Sequence, residues 1–141
     1  MGEVGEWATR WAAERFAERY RVSHSDAMIA VELEALGTDY GATGYTDRAE
    51  ADAIGELLGL TADSLLVDLG SGCGWPGLYL AGRSQCRVVT IDPVASGVRR
   101  SAARGRADGL AGRHLAVVGD GSTLPLAGGV ADAIVHVDVL C

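Results

Sequence analysis

Apolar positions recur at helical spacing through the first third of the chain and at strand spacing after residue 64. Over residues 3–21, Trp7 and Trp11 lie one turn apart, and Ala8, Ala12, Phe16 and Tyr20 continue an adjacent stripe. This predicts an amphipathic helix with both tryptophans in its core stripe. Residues 25–36 predict a second helix, capped by Ser25 or Asp26 and stopped by Gly37. Residues 37–45, GTDYGATGY, read as a glycine-rich loop. Thr46 or Asp47 starts a third helix, ending near residue 58, in which Asp47 and Glu50 have the spacing of a capping box. Short apolar runs at 65–69, 87–91, 114–118 and 131–140 predict four strands. Helices fit at 76–82 and 96–108, the latter weakened by Gly97 and Gly105, and a loop fits at 119–130. Strands alternating with helices imply a parallel sheet with right-handed crossovers. The expected class is α/β, a Rossmann-like three-layer sandwich with an N-terminal helical cap.

The chain has 141 residues, one domain in length, and its 48% hydrophobic content supports a packed core. Charge divides it unevenly. Residues 1–63 hold 13 acids and 5 arginines, net −8, and residues 64–141 hold 6 acids and 7 arginines, net +1. A net charge of −7 argues against broad binding to nucleic acid or to an anionic membrane. Cys73, Cys86 and Cys141 form no CxxC pair and are odd in number, so neither a disulfide framework nor a metal site is expected. Glu3, Glu6 and Arg10 interrupt the first apolar stretch, and no run is long enough to span a bilayer. A cytoplasmic location is the expectation.

Candidate chemistry begins at residues 65–77, LLVDLGSGCGWPG. An apolar strand carries Asp68 near its end, glycines follow at 70, 72 and 74, and a helix can start at Pro76. Such a turn lets a nucleoside-type ligand lie against bare backbone. A carboxylate just ahead of it would repel a dinucleotide's pyrophosphate and suit a cationic ligand. Asp92 and Asp120 stand at the equivalent places after the second and third strands, so all three carboxylates are expected to point into one crevice. Asp92 lies 20 residues after Gly72, a spacing that suits ribose hydroxyls.

These residues resemble the class I S-adenosylmethionine-dependent methyltransferases. The resemblance is carried by VDLGSGCG (67–74), VVTIDP (88–93), VVGDGSTLPL (117–126) and ADAIVHVDVLC (131–141). It implies S-adenosyl-L-methionine as cofactor. Asp68, Gly70, Ser71, Gly72, Gly74 and Trp75 would surround its methionine end, Asp92 and Pro93 its ribose, and Asp120 and Gly121 its adenine. The end of the fourth strand, His136 to Asp138, would lie near the transferring methyl group. The implied reaction is in-line methyl transfer to a small-molecule acceptor, helped mainly by positioning and desolvation. That family's sheet has seven strands in the order 3-2-1-4-5-7-6, whereas this sequence reaches only the fourth, giving 3-2-1-4. The strand bearing Ile134, Val135, Val137 and Val139 is then expected to have an unpaired edge, open to self-association or a partner. A fragment of a longer enzyme, a natural short form, or an edge covered by a partner would each fit; the end inside an apolar strand favours the first.

Plainer readings stand beside these. The glycines could form an ordinary strand-to-helix turn, and Asp92 and Asp120 could cap local turns. Gly72, Gly74 and Gly77 match GxGxxG, a dinucleotide signature, but Gly70 and Ser71 separate them from the strand. His136 and Asp138, two apart on one strand, would share a face, where either could act as a general base. His24 reads as a cap neighbour, His114 as the start of a strand, and Arg99, Arg100, Arg104 and Arg106 as a solvated face. Tyr40, Gly41, Gly44 and Tyr45 read as a lid with tyrosines excluding water, or as a plain linker. The expected organisation is a cap and lid over 1–45 and a cofactor-binding core over 46–141. A non-catalytic cofactor-binding or interaction module is the alternative function.

Overall fold

The structure, a computed structural model, describes residues 3–139. Its elements are α1 (Glu3–Val22), α2 (Asp26–Leu36), α3 (Arg48–Leu58), β1 (Leu65–Leu69), α4 (Gly77–Ser84), β2 (Arg87–Asp92), α5 (Ala95–Ala107), β3 (His114–Val118) and β4 (Ala133–Val135). The helix boundaries follow from local chemistry. Ser25 accepts the Met28 N–H at the start of α2, and Gly37 ends that helix in the left-handed region at φ 71°. Asp47 and Glu50 form a reciprocal capping box on α3.

The four strands are parallel in the order β3-β2-β1-β4, the Rossmann-like arrangement. Alternation along the strands sorts the core into two faces. Leu66 and Val88 pack with Leu78, Leu80 and Ala81 of α4, with Ala51 of α3 behind them. Burying each such leucine contributes about 1.5–3 kcal/mol. On the same face, Thr90 of β2 meets Ser101 of α5, hydroxyl to hydroxyl at 2.9 Å. Val67, Val89 and Ile91 face the other way, against Leu126 and Ala131 of the segment before β4.

The N-terminal helices lie on this core. Arg104 of α5 grips Asp108 at 2.8 Å and Asp39 at 2.9 Å, and its guanidinium stacks 3.8 Å over the Tyr40 ring. The Tyr40 hydroxyl donates to Asp108 at 3.1 Å. None of the described helices is long and apolar enough to cross a membrane.

Two expectations change. The fourth strand covers three residues rather than ten. Only Ala133–Val135 pairs with β1; beyond it the His136 Nδ1–H donates to the Leu69 carbonyl at 2.9 Å, and Asp138 turns into the left-handed region at φ 58°. The part of that strand expected at Leu140 lies outside the described residues. On α1 the buried stripe is Tyr20 with Ala13, Phe16 and Ala17. Trp11 is 51% exposed beneath the Arg15 guanidinium, because the helix turns its Phe16–Tyr20 side to the core. The core position expected for Trp7 lies outside what the structure describes.

Candidate functional site

β1 delivers the chain at Leu69 into a turn that crosses to the end of β2. The N–H groups of Gly70 and Ser71 both donate to the Ile91 carbonyl, at 2.8 and 3.1 Å. Gly70, Gly72 and Gly74 take φ values of 76°, 53° and 108°, a region other residues rarely adopt. Asp92 closes the crossing: Oδ2 accepts the Gly72 N–H at 2.8 Å and Oδ1 accepts the Val94 N–H at 2.9 Å. Burial pushes the Asp92 carboxyl above the usual carboxylate range, opposed by the Val94 and Gly72 N–H groups and by the Tyr20 hydroxyl, 3.4 Å from Oδ2.

Tyr20 descends from α1 onto this turn. A Cβ on Gly97 would stand 2.8 Å from its ring and one on Gly72 would stand 3.1 Å from its hydroxyl, so both glycines make room for it. Burial, then the Asp92 charge, raises the Tyr20 hydroxyl well above its ordinary value. It stays neutral and donates.

The turn, residues 92–94, Phe16 and Tyr20 of α1, residues 41–44 and residues 137–139 enclose a cavity of about 130 Å³. Ligand pockets start at about 300 Å³. Asp138 and Val139 at the cavity's rim are exposed, so a nucleoside-sized ligand would extend past the mouth or displace part of the cover. Among the described residues lining the cavity are two carboxylates, Asp92 and Asp138, and no arginine or histidine. Such a lining attracts a cation and disfavours a pyrophosphate.

The cover is itself tied down. Buried Glu32 accepts the Thr38 hydroxyl and the N–H groups of Tyr40 at 3.0 Å and Gly41 at 2.8 Å. Arg19 donates to the Thr43 carbonyl at 2.9 Å. Thr46 is held twice: its N–H donates to Asp138 Oδ2 at 3.0 Å, and its carbonyl accepts the Trp75 Nε1–H at 2.9 Å.

A sequence profile described as Methyltransferase domain matches residues 67–141, more than half of the chain. The chain belongs to this methyltransferase-domain family. The family's cofactor is S-adenosyl-L-methionine. No curated protein matches the sequence. Among solved structures the chain is similar to an RNA methyltransferase from Salinibacter ruber in complex with S-adenosyl-L-homocysteine. Identity is 23% and the TM-score 0.60, over 64% of this chain and 58% of that one. A putative S-adenosyl-L-methionine-dependent methyltransferase from Methanococcus maripaludis is 27% identical, with a TM-score of 0.56 over 61% of this chain and 39% of that one. Geranyl diphosphate C-methyltransferase from Streptomyces coelicolor A3(2) is 24% identical, with a TM-score of 0.58 over 62% and 34%. The match thus spans between about a third and three fifths of these proteins' own length.

In this methyltransferase domain the three strand-end carboxylates do not converge. Asp92 lines the cavity. Asp68, 1% exposed, points to the α4 side of β1, where Oδ2 accepts the Gly77 N–H at 2.8 Å. Burial pushes its carboxyl up to about 8, so it is largely neutral at pH 7. The electrostatic argument against pyrophosphate therefore rests on Asp92 and Asp138. Asp120 is turned back on its own loop, accepting the Ser122 N–H at 2.8 Å and the Ser122 hydroxyl, and neither it nor Gly121 lines the cavity.

Gly70, Ser71, Gly72, Trp75 and Pro93 do line it, whereas Gly74 faces Leu78 and Ser101 and seats the turn on the helices. Tyr45 is 81% exposed and does not line the cavity, because the Thr46 bonds hold its neighbour and leave its ring in solvent. Tyr40 is the buried tyrosine of this loop, with its ring 5.3 Å from that of Trp75. His136 is exposed and outside the cavity, and the two-residue offset from Asp138 no longer puts both on one strand face, since β4 has already ended. Sequence reasoning did not assign Tyr20 or Glu32 to the site. Gly97 was the available signal for Tyr20, because a glycine inside a helix often marks a close approach.

Proposed function

We propose that this domain binds S-adenosyl-L-methionine in the cavity at the ends of β1 and β2 and serves methyl transfer to a small-molecule nucleophile. The observation that carries the reading is the lining: a glycine turn and two carboxylates with no arginine or histidine among the described lining residues, at the carboxyl ends of parallel strands. Bound there, the cofactor supplies a methyl group on a sulfonium, which already has a good leaving group.

The chain's own residues hold, orient and dry the site. Asp92, fixed by the Gly72 and Val94 N–H groups, presents carboxylate oxygens to the ribose hydroxyls. Gly70, Ser71 and Gly72 let the ligand approach the backbone. Phe16, Tyr20 and Trp75 exclude water around Asp92, which strengthens the hold of that carboxylate on the ligand. Residues 1–45 act as the cover, and the net charge of −8 over residues 1–63 disfavours a polyanionic acceptor. Displacement at a sulfonium methyl needs no general base unless the acceptor must lose a proton early, and the His136 Nδ1–H is engaged by Leu69.

Calorimetric titration with S-adenosylhomocysteine, with NAD as control, tests this. Saturable binding of the first and none of the second is expected, with a loss of at least about tenfold in Asp92→Ala. A folded chain that ignores S-adenosylhomocysteine, or that takes up NAD, would refute the reading. Turnover with a panel of nucleophiles separates an enzyme from a non-catalytic binding module.

A further inference from the structure

S-adenosyl ligands offer a carboxylate several donors, among them a ribose diol and an α-ammonium group, and in S-adenosylhomocysteine only the ammonium carries a full positive charge. Asp92 accounts for the first. Its position in sequence points to Asp68 for the second, but that side chain is sealed behind the turn, with an oxygen on the Gly77 N–H and no place on the cavity wall. The second carboxylate on the wall is Asp138. Resting on the cofactor site proposed above, we infer that Asp138 contacts the α-ammonium group of the S-adenosyl ligand.

Placement supports the assignment. Asp92 is bonded to Gly72 and Val94, at the β2 side of the turn. Asp138 belongs to the other side: its carboxylate lies against Gly44, and the next residue, Val139, lies over Gly70, where a Cβ would come within 2.5 Å of its Cγ2. The two carboxylates thus bracket the glycine turn. A ligand lying along it presents its ribose to one and its amino-acid end to the other.

Asp138 reaches this position through a left-handed backbone, φ 58°, uncommon for a residue with a side chain. Partial burial works against its charge, but donors on Thr46 and Tyr45 more than offset that and hold its carboxyl below the usual range. It therefore meets an ammonium as an anion. Its place at the exposed mouth leaves that ammonium part of its hydration, which avoids the penalty of a fully buried ion pair.

The test compares two ligands. S-adenosylhomocysteine and 5′-methylthioadenosine share adenine, ribose and a thioether, and only the first carries the amino-acid end. Each is titrated calorimetrically into the parent chain and into Asp138→Asn, which keeps an oxygen for the Thr46 N–H and removes the charge. The variant is expected to lose about tenfold or more in affinity for S-adenosylhomocysteine and to bind 5′-methylthioadenosine within about twofold of the parent. Equal weakening of both ligands would show that Asp138 only secures the cover and would overturn the assignment. So would an unchanged affinity for S-adenosylhomocysteine, or a selective loss of it in Asp68→Asn instead. A folded parent chain that binds neither ligand would overturn the cofactor site itself, and the assignment with it.

Discussion

Replacing Asp68 by asparagine should make the ligand-free chain more stable, by an amount that grows with pH. Burial pushes the Asp68 carboxyl up to about 8, the Gly77 N–H works against that rise, and the Asp92 charge adds to it. In the unfolded chain the same group titrates near 4. Between those values the folded chain keeps a proton that the unfolded chain releases. The contribution of Asp68 to stability is therefore most favourable near pH 4 and falls by about 1.4 kcal/mol per pH unit until the folded group also ionises. By pH 7 the accumulated loss is on the order of 4 kcal/mol. Asparagine has nearly the same shape, keeps an oxygen for the Gly77 N–H, and does not ionise. Urea unfolding of parent and Asp68→Asn, followed by circular dichroism from pH 4 to 8.5, measures the difference. Near pH 4 the two should agree within about 1 kcal/mol, and at pH 7 the variant should lead by about 2–4 kcal/mol. Parallel profiles, or a parent that gains on the variant as pH rises, would mean that Asp68 is an ordinary ionised carboxylate and would refute the reasoning.

Two further substitutions probe the cover. Gly97→Ala should gain about 1 kcal/mol of helix propensity, yet its Cβ would stand 2.7 Å from the Gly72 carbonyl and 2.8 Å from the Tyr20 ring. The net expectation is a destabilisation of about 1–3 kcal/mol, read as a lower melting temperature; a higher one would show that Tyr20 is not seated there. Glu32→Ala strands donors on Thr38, Tyr40 and Gly41. It should lower stability by about 2 kcal/mol or more and speed amide exchange at Tyr40 and Gly41; unchanged exchange there would remove Glu32 as the organiser of the loop.

Local signals carried most of the fold. Ser25 with Gly37, and Asp47 with Glu50, mark helix ends through bonds between near neighbours, and the sequence shows such pairs directly. Runs such as 65–69 and 114–118 matched their strands for the same reason. What failed depended on partners distant in sequence. Residues 131–140 are apolar enough for a long strand, but its length was set by where pairing with β1 stopped, at Val135. Asp68 reads as a binding carboxylate until its parity is considered. It shares a face with Leu66, and α4 covers that face. Tyr40 and Tyr45 look equivalent in a glycine-rich loop, and the Asp108 bond with the Trp75 and Arg104 stacks of Tyr40, together with the Thr46 bonds, separate a buried ring from a solvated one. Nothing in the local sequence marks Glu32, whose carboxylate is recognised only by the loop that wraps it.

The double anchoring of Thr46 limits how fast and how far the site can breathe. Its N–H and carbonyl are both held, and on the other side Gly41 is fixed to Glu32. The arc between these posts comprises Ala42, Thr43, Gly44 and Tyr45, a contour of about 14 Å at full extension, with the Thr43 carbonyl held midway by Arg19. Arcs of that size rearrange in nanoseconds to microseconds, whereas hinged domains take microseconds to milliseconds. Movement of this arc, once the Arg19 bond lets go, therefore runs on the clock of a short flap and needs no rotation of one domain against another.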